Sequence, residues 1–246
     1  MPSSETLKRA AAAAALERVR SGMRLGLGSG STVAHFLELL GARLREGSLS
    51  EVVGVPTSVQ TADRAHALGI PLGPLDELAP LHLTVDGADE VSPGLDLIKG
   101  LGGALLREKM VATASERFVV IADAGKKVER LGTKAPVPVE VVPFAWRVHP
   151  PFLESLGARP ALRTHADGSP LVTDNGNYVI DCHFPRGIDD PGELDARLTS
   201  RAGVVETGLF LRLATEALLA GEDGVETIGP RARGGARAGD GGEGAR

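Results

Sequence analysis

Cysteine is all but missing from this chain: Cys182 is the only one among 246 residues. An intramolecular disulfide is therefore excluded, and so is a metal centre built from several thiolates of one chain. A basic excess is missing too, since 27 Lys and Arg face 32 Asp and Glu for a formal net charge of -5. That balance argues against nucleic acid as a partner, which needs a dense positive surface, but leaves room for a local basic pocket holding a small anion. No stretch approaches the roughly 18 strongly apolar residues of a membrane span. The N-terminal "MPSSETLKRAAAAAALERVR" has weakly hydrophobic alanines bracketed by charge where a signal peptide has an apolar core. No membrane partner is expected, and a reducing, cytoplasmic setting fits. The histidines show neither HExxH spacing nor pairing with cysteine, so no metal and no other cofactor is expected.

What is present is an ordinary globular composition, 42% hydrophobic and 24% charged, in a chain long enough for one large or two small domains. Residues 5–20 read as a helix. "MRLGLGSGSTVAHFLELLGARLREG" then gives a strand, a glycine–serine turn and a second helix. Val33, Phe36, Leu37, Leu40 and Leu44 share one face of that helix by three- and four-residue spacing. "EVVGVPT", "LHLTVDG" and "FVVIAD" read as strands separated by helices, which predicts an α/β fold: a Rossmann-like, mostly parallel sheet covered on both faces. From Pro136 the order becomes β-α-β-β-α-β, that of a ferredoxin-like α+β unit, with "PLVTDNGNYVIDCHF" read as one of its strands. The expected division is a Rossmann-like domain at 1–135 and 209–229, ending in a hairpin that turns near Asp223-Gly224. A ferredoxin-like domain is inserted at 136–208, and the Gly/Arg tail at 230–246 is expected to be disordered.

Two short stretches carry chemistry. Gly26, Gly28 and Gly30 sit between a strand and a helix, but their spacing is not the dinucleotide fingerprint, and no lysine follows to make a P-loop. Ser29, Ser31 and Thr32 either cap the helix or, with its unpaired amides and dipole, hold an anion such as phosphate. The second stretch is "VDGADEVSPGLDLIKGLGGALLREK", residues 85–109. Asp86 ends a strand and Asp89 follows it, at the carboxyl edge where ligands of parallel sheets gather; either acid alone also suits an Asx-turn. Glu90 reads as solvated. Lys99 precedes "GLGG", whose backbone N–H groups are open to a ligand, and its ammonium suits charge developing on an oxygen, although a surface lysine is the plain alternative. Glu108 has Ala104, Leu105, Val111 and Ala112 on its helical face, and burial there would raise its pKa as a base for carbon acids requires. Arg107 and Lys109 have apolar neighbours as well, so spacing does not choose which residue of "REK" points inward. Carboxylates, a lysine and an anion turn together suit proton shuffling on a phosphorylated metabolite.

These residues resemble the type A ribose-5-phosphate isomerases. "GLGSGSTVAHF", "VPTSVQTADRAHALGI", "TVDGADEVSPGLDLIKGLGGALLREKMVA", "FVVIADAGKKVERLG", "PVPVEVVPF", "VTDNGNYVID" and "GVVETGLF" occur in the family order, over about residues 5–229. The resemblance implies an aldose–ketose isomerase that interconverts D-ribose 5-phosphate and D-ribulose 5-phosphate through an enediol in the non-oxidative pentose phosphate pathway. It implies Glu108 as the base between C2 and C1, Asp86 as the acid group for hydroxyl protons and ring opening, and Lys99 as the cation beside the enediolate. It further implies sugar or phosphate binding by Ser29, Gly30, Ser31, Thr32, Gly87, Asp89, Gly100, Gly102 and Gly103, with Lys8 and Lys126 reaching the same ligand. The family's assembly implies a homodimer or homotetramer. One departure stands out: Leu101 occupies a place where the family has glycine, and a positive φ there would strain it or narrow the pocket. Two rival readings are a sugar-phosphate sensor without turnover, and a lactonase or deaminase acting on a similar ligand.

Overall fold

Strand and helix alternate through the first half of the chain, as the apolar spacing requires, in a computed structural model that describes residues 2–229. Helix α1 (Ser4–Leu16) starts where the Ser3 side chain accepts from the Thr6 N–H, and it buries Ala11, Ala12, Ala15 and Leu16. It stops short of the expected residue 20, because Arg18 and Val19 bond back only three residues, to Ala15 and Leu16. There follow β1 (Arg24–Leu27), α2 (Ser31–Arg45), β2 (Val53–Pro56), α3 (Val59–Ala67), the single turn α4 (Leu75–Leu78) and β3 (Leu83–Asp86). Two short strands, β4 (Glu90–Val91) and β5 (Leu97–Ile98), precede α5 (Leu105–Thr113) and β6 (Phe118–Asp123). The second half holds β7 (Val137–Val141), α6 (Pro150–Ser155), β8 (Arg159–Leu162), β9 (Tyr178–His183), α7 (Pro191–Thr199) and β10 (Val204–Thr207). The chain then closes through β11 (Leu209–Phe210), β12 (Glu216–Gly221) and β13 (Gly224–Ile228).

The main sheet runs β13-β12-β6-β3-β1-β2, parallel throughout except for the β12–β13 hairpin. One face packs Leu25, Leu27, Val85, Val119 and Ile121 against Ala11 and Ala15 of α1 and Phe36, Leu37 and Leu40 of α2. The other face packs Phe118, Val120 and Leu219 against Leu105 and Ala112 of α5. Helices on both faces account for strands that are apolar without alternation. From β1 the chain goes outward to β2 and then returns to lay β3 on the other side of β1. That reversal opens a crevice at the carboxyl ends of β1 and β3, the place where an open α/β sheet binds ligands. Ser29 and Asp86 stand at those two ends.

A second sheet, antiparallel in the order β10-β7-β9-β8, buries Val137, Val139, Ile180 and Cys182 with Leu153 of α6 and Leu194 and Leu198 of α7. Its elements follow the β-α-β-β-α-β order. A third, small sheet of β11-β5-β4 lies between the other two and was not legible in the sequence, since strands of two residues carry no period. The continuous strand expected over 170–184 is broken: Pro170 and Val172 make isolated bridges, to Thr164 and Tyr178, and the regular strand is Tyr178–His183. The preceding Asp174-Asn175-Gly176 forms a turn, in which Gly176 (φ +79) donates to Thr173 O at 2.9 Å and Thr173 N donates to Asn177 O at 2.9 Å. The tail expected at 230–246 lies outside the described residues.

Glu90 corrects another expectation. It is fully buried in β4, and its carboxylate accepts from the backbone N–H groups of Gly132, Lys134 and Ala135. These donors lie on the segment that enters the second sheet, so the carboxylate ties the two sheets' connection to the strand that follows Asp89. Each buried donor left without a partner costs about 1–3 kcal/mol. Replacement Glu90→Ala is therefore expected to lower the unfolding free energy by at least about 2 kcal/mol in urea titrations, because two buried donors, Gly132 and Ala135, are stripped at once.

Candidate active site

Asp86 ends β3 with no solvent exposure, because β3 is flanked by β1 and β6 and roofed by the turn after β1. Its Oδ1 accepts from Ser29 N at 3.0 Å and from Gly87 N at 2.7 Å. Gly28 makes this possible: a Cβ there would lie 2.1 Å from Asp86 Oδ1, so only glycine lets the turn settle over the carboxylate. The next residue with a special conformation, Gly30 (φ +100), starts α2 without any side-chain cap. The first amides of α2 are thus left for a ligand. The hydroxyl of Ser29 is not left free. It bonds to Thr57, Ser58 and Thr61 in a buried hydroxyl cluster that props up the turn.

Opposite this turn, Lys99 leaves β5 and places its ammonium, 2% exposed, between two acids. Lys99 Nζ lies 2.9 Å from Asp86 Oδ2 and 3.4 Å from Glu108 Oε1. It also donates to Gly87 O at 2.6 Å and sits 5.4 Å above the centre of the Phe210 ring. Glu108 is 5% exposed in the first turn of α5, which decides the "REK" ambiguity. Arg107 turns to Asp174 and Asn175, and Lys109 turns to Glu206. Glu108 Oε2 is buried without a hydrogen-bond partner.

These groups meet at a cavity of about 370 Å³. Lys8, Ser29, Gly30, Ser31, Thr32, Gly87, Asp89, Lys99, Gly100, Gly102, Glu108 and Lys126 all line it. Two sequence candidates do not. Asp86 lies beneath the wall, shielded by Lys99 and the Ser29 turn, and Gly103 (φ +81) is buried in the bend that starts α5. Ser4, Ala88 and Asp123 line the cavity and were not singled out. Asp123 ends β6 on the same carboxyl edge as Asp86, and that position was the signal that could have found it. Leu101 is neither strained nor obstructive: Gly100 (φ +101) and Gly103 take the positive dihedrals, while Leu101 is 42% exposed and donates its N–H to Asp89 Oδ2 at 3.1 Å. A larger cleft of about 600 Å³ opens on the second sheet's side, among Arg159, Arg186, Arg197, Asp189, Asp190 and Glu193. All of its charged groups are exposed, so it offers none of the dehydrated acid–base chemistry of the smaller cavity.

Burial sets the electrostatics. It pushes the Glu108 carboxyl up to about 8, with the nearby Asp86 charge adding to the effect and Lys99 opposing it. Burial raises Asp86 as well, against the pull of Lys99 and of the Gly87 and Ser29 N–H groups. Burial works against the Lys99 ammonium, but Asp86 and Glu108 together hold its pKa above the ordinary lysine value. One cation thus serves two acids, and burial favours the protonated form of both. Among the described residues no group of three or more His, Cys, Asp or Glu is arranged to hold a metal ion.

Residues 53–224 match the family model described as ribose 5-phosphate isomerase A (phosphoriboisomerase A). The chain belongs to the ribose 5-phosphate isomerase A family. A curated ribose-5-phosphate isomerase A from Synechococcus sp. is 49% identical over 93% of this chain and 99% of its own length. A solved D-ribose-5-phosphate isomerase in complex with phospho-erythronic acid superposes with a TM-score of 0.90 at 41% identity, over 93% of this chain and all of that one. The isomerase from Methanocaldococcus jannaschii gives 0.87 at 41% identity, covering 92% of this chain and 100% of that one. This chain is an isomerase of the pentose phosphate pathway that interconverts ribose 5-phosphate and ribulose 5-phosphate.

The raised pKa of Glu108 in the isomerase also has a consequence for its stability. A carboxyl whose folded pKa of about 8 exceeds its unfolded value of 4.5 stabilises the fold fully below pH 4.5 and loses that contribution as pH rises through 8. Wild-type stability is therefore expected to fall relative to that of Glu108→Gln between these two pH values, then level off. Urea titrations of both proteins across the range check it.

Proposed function

We propose that Glu108 is the base of the aldose–ketose isomerisation, moving a proton between C2 and C1 of the open-chain pentose through an enediol. Its place on the cavity wall, with Oε2 buried and without a hydrogen-bond partner, carries this reading. In the forward direction the Glu108 carboxylate takes the C2 proton and the C1 carbonyl oxygen gains negative charge; Glu108 then delivers a proton to C1 while the C2 hydroxyl gives up its proton to the C1 oxygen and C2 becomes the ketone. Lys99 opposes the oxygen charge in a dehydrated site where a fixed cation acts most strongly. Asp86 holds Lys99 and, across 2.9 Å, relays hydroxyl protons through it during ring opening. Asp89 binds sugar hydroxyls at the surface. The phosphate is held by the amides and hydroxyls of Ser31 and Thr32 and by Lys8 and Lys126, so that binding at one end orients the other. The neighbour solved with phospho-erythronic acid, a phosphorylated sugar acid, supports a cavity with one pole for phosphate and one for anionic oxygen.

A two-domain organisation is part of the proposal, with 1–135 and 209–229 forming the catalytic unit and 136–208 inserted into it. So are a homodimeric or homotetrameric assembly, a cytoplasmic setting, and the absence of nucleic-acid and membrane partners. No helix among the described residues is long and apolar enough to cross a membrane.

Replacement Glu108→Gln is expected to lower kcat by on the order of 10²–10⁴-fold with little change in KM, the range of a lost general base. A coupled assay following ketose formation from ribose 5-phosphate, run with a chelator present, measures it; wild-type kcat in the folded variant rejects the base role. Wild-type kcat/KM is expected to rise with pH up to about 8, as Glu108 loses its proton in the free enzyme. Solvent hydrogen entering C1 or C2 of the pentose separates isomerisation from lactonase or deaminase chemistry.

A further inference from the structure

The mechanism leaves one buried acid unused. Glu140, in β7 of the inserted unit, is fully buried, yet its Oε1 gathers three side-chain donors from one turn: Thr173 Oγ1 at 2.9 Å, Asn175 Nδ2 at 3.2 Å and Asn177 Nδ2 at 2.9 Å. Thr173 Oγ1 in turn accepts from the backbone N–H groups of Asn175 and Asn177. A buried carboxylate that organises a five-residue turn so completely fixes the turn's outer face. That face is directed at the other sheet's helices.

Two of its contacts reach the active-site elements. Arg107, adjacent to Glu108 on α5, donates from Nε to Asn175 Oδ1 at 2.8 Å and from Nη2 to Asp174 O at 2.9 Å. Asp174 Oδ2 accepts from Val59 N at 2.8 Å, at the first residue of α3. The residue before it, Ser58, belongs to the hydroxyl cluster beneath the Ser29 turn. The inserted unit therefore grips the helix that carries the base and the helix start that supports the substrate turn. A fork-shaped guanidinium held at two points allows little rotation of its own helix, and Glu108 lies one residue, about 100° of helix, away.

We infer that Glu140, through the 173–177 turn and Arg107, is a positioning device that fixes the rotation of α5 and so aims the Glu108 carboxylate at the substrate carbon. This rests on the reading of Glu108 as the base. Neither Glu140 nor Arg107 lines the cavity; both act through α5. Since a misplacement of about 1 Å at a reacting group costs on the order of 10²-fold in rate, their loss falls on turnover more than on binding. Loss of the grip also lets Glu108 move from Asp86, Lys99 and Asp89, the charged groups facing it, toward water.

The test uses the full chain with Arg107→Met, Arg107→Lys, Asn175→Ala and Glu140→Gln, beside Glu108→Gln. Circular dichroism and thermal melts identify the variants that are folded at assay temperature, and Arg107→Met and Asn175→Ala, at half-buried positions, guard against a Glu140 variant that fails to fold. Arg107→Met and Asn175→Ala are expected to lower kcat at least about tenfold with KM within about threefold, and to move the acidic limb of kcat/KM downward. Arg107→Lys is expected to recover only part of the loss, because an ammonium cannot fill both contacts. Folded Arg107→Met and Asn175→Ala proteins with kcat within twofold of wild type overturn the inference, as does a loss shared equally by kcat and KM with the limb unmoved. If Glu108→Gln itself retains full kcat, the base assignment fails instead, and the two failures are distinct.

Discussion

A single ammonium buried between two carboxylates governs this molecule. Lys99 has almost no access to water, and its charge is balanced by Asp86 at 2.9 Å and Glu108 at 3.4 Å. Two acids around one cation cannot both ionise at low cost in a dehydrated site, so one is kept near its proton. Asp86 has two backbone donors on its Oδ1 and Lys99 at its Oδ2, whereas Glu108 has Lys99 at the longer distance and a second oxygen with no partner. Burial raises both acids, and it pushes Glu108 up to about 8. An acid pushed up to about 8 and lining a cavity is equipped to exchange a proton with carbon.

The rest of the fold serves this arrangement. The reversal of chain direction between β1 and β3 opens the crevice, Gly28 lets the serine turn close over Asp86, and β5 with β11 brings Lys99 and Phe210 in from the side. Two stretches far apart in sequence, at 28–32 and 86–108, are joined by the parallel sheet and the small three-stranded sheet beside it. Glu90 links that small sheet to the segment entering the second sheet, and the 173–177 turn links the second sheet back to α5 and α3. The second sheet is thus mechanically continuous with the active site.

Much of this was legible in the sequence because it is written in local periodicity and turn chemistry. The apolar face of α2, the runs of β3 and β6, and the glycine–serine turn all follow from residue spacing, and the structure has them where the spacing implies. What spacing could not decide was direction within a run of like residues. "REK" has apolar neighbours for all three side chains, and only tertiary partners, Asp174 and Asn175 for Arg107 and Glu206 for Lys109, leave Glu108 to face the cavity. Glu90 was misread for the same reason: in the charged run "DGADE" nothing local announces three backbone donors from residues 132–135. The segment 170–177 looked like a strand because it opens with Leu171 and Val172, but Asp174-Asn175-Gly176 outweighed them, and the resulting turn contacts α5 and α3.

The most direct measurement of the central claim is the protonation state of Glu108 at neutral pH, read by infrared difference spectroscopy between the wild-type protein and Glu108→Gln. A protonated carboxyl band present in the wild type, absent in the variant, and lost as the solution is taken above pH 8 is the predicted result. A spectrum in which only ionised carboxylate disappears on substitution, at neutral pH, contradicts the account, since Lys99 would then be holding two charged acids and Glu108 would have no raised pKa to use.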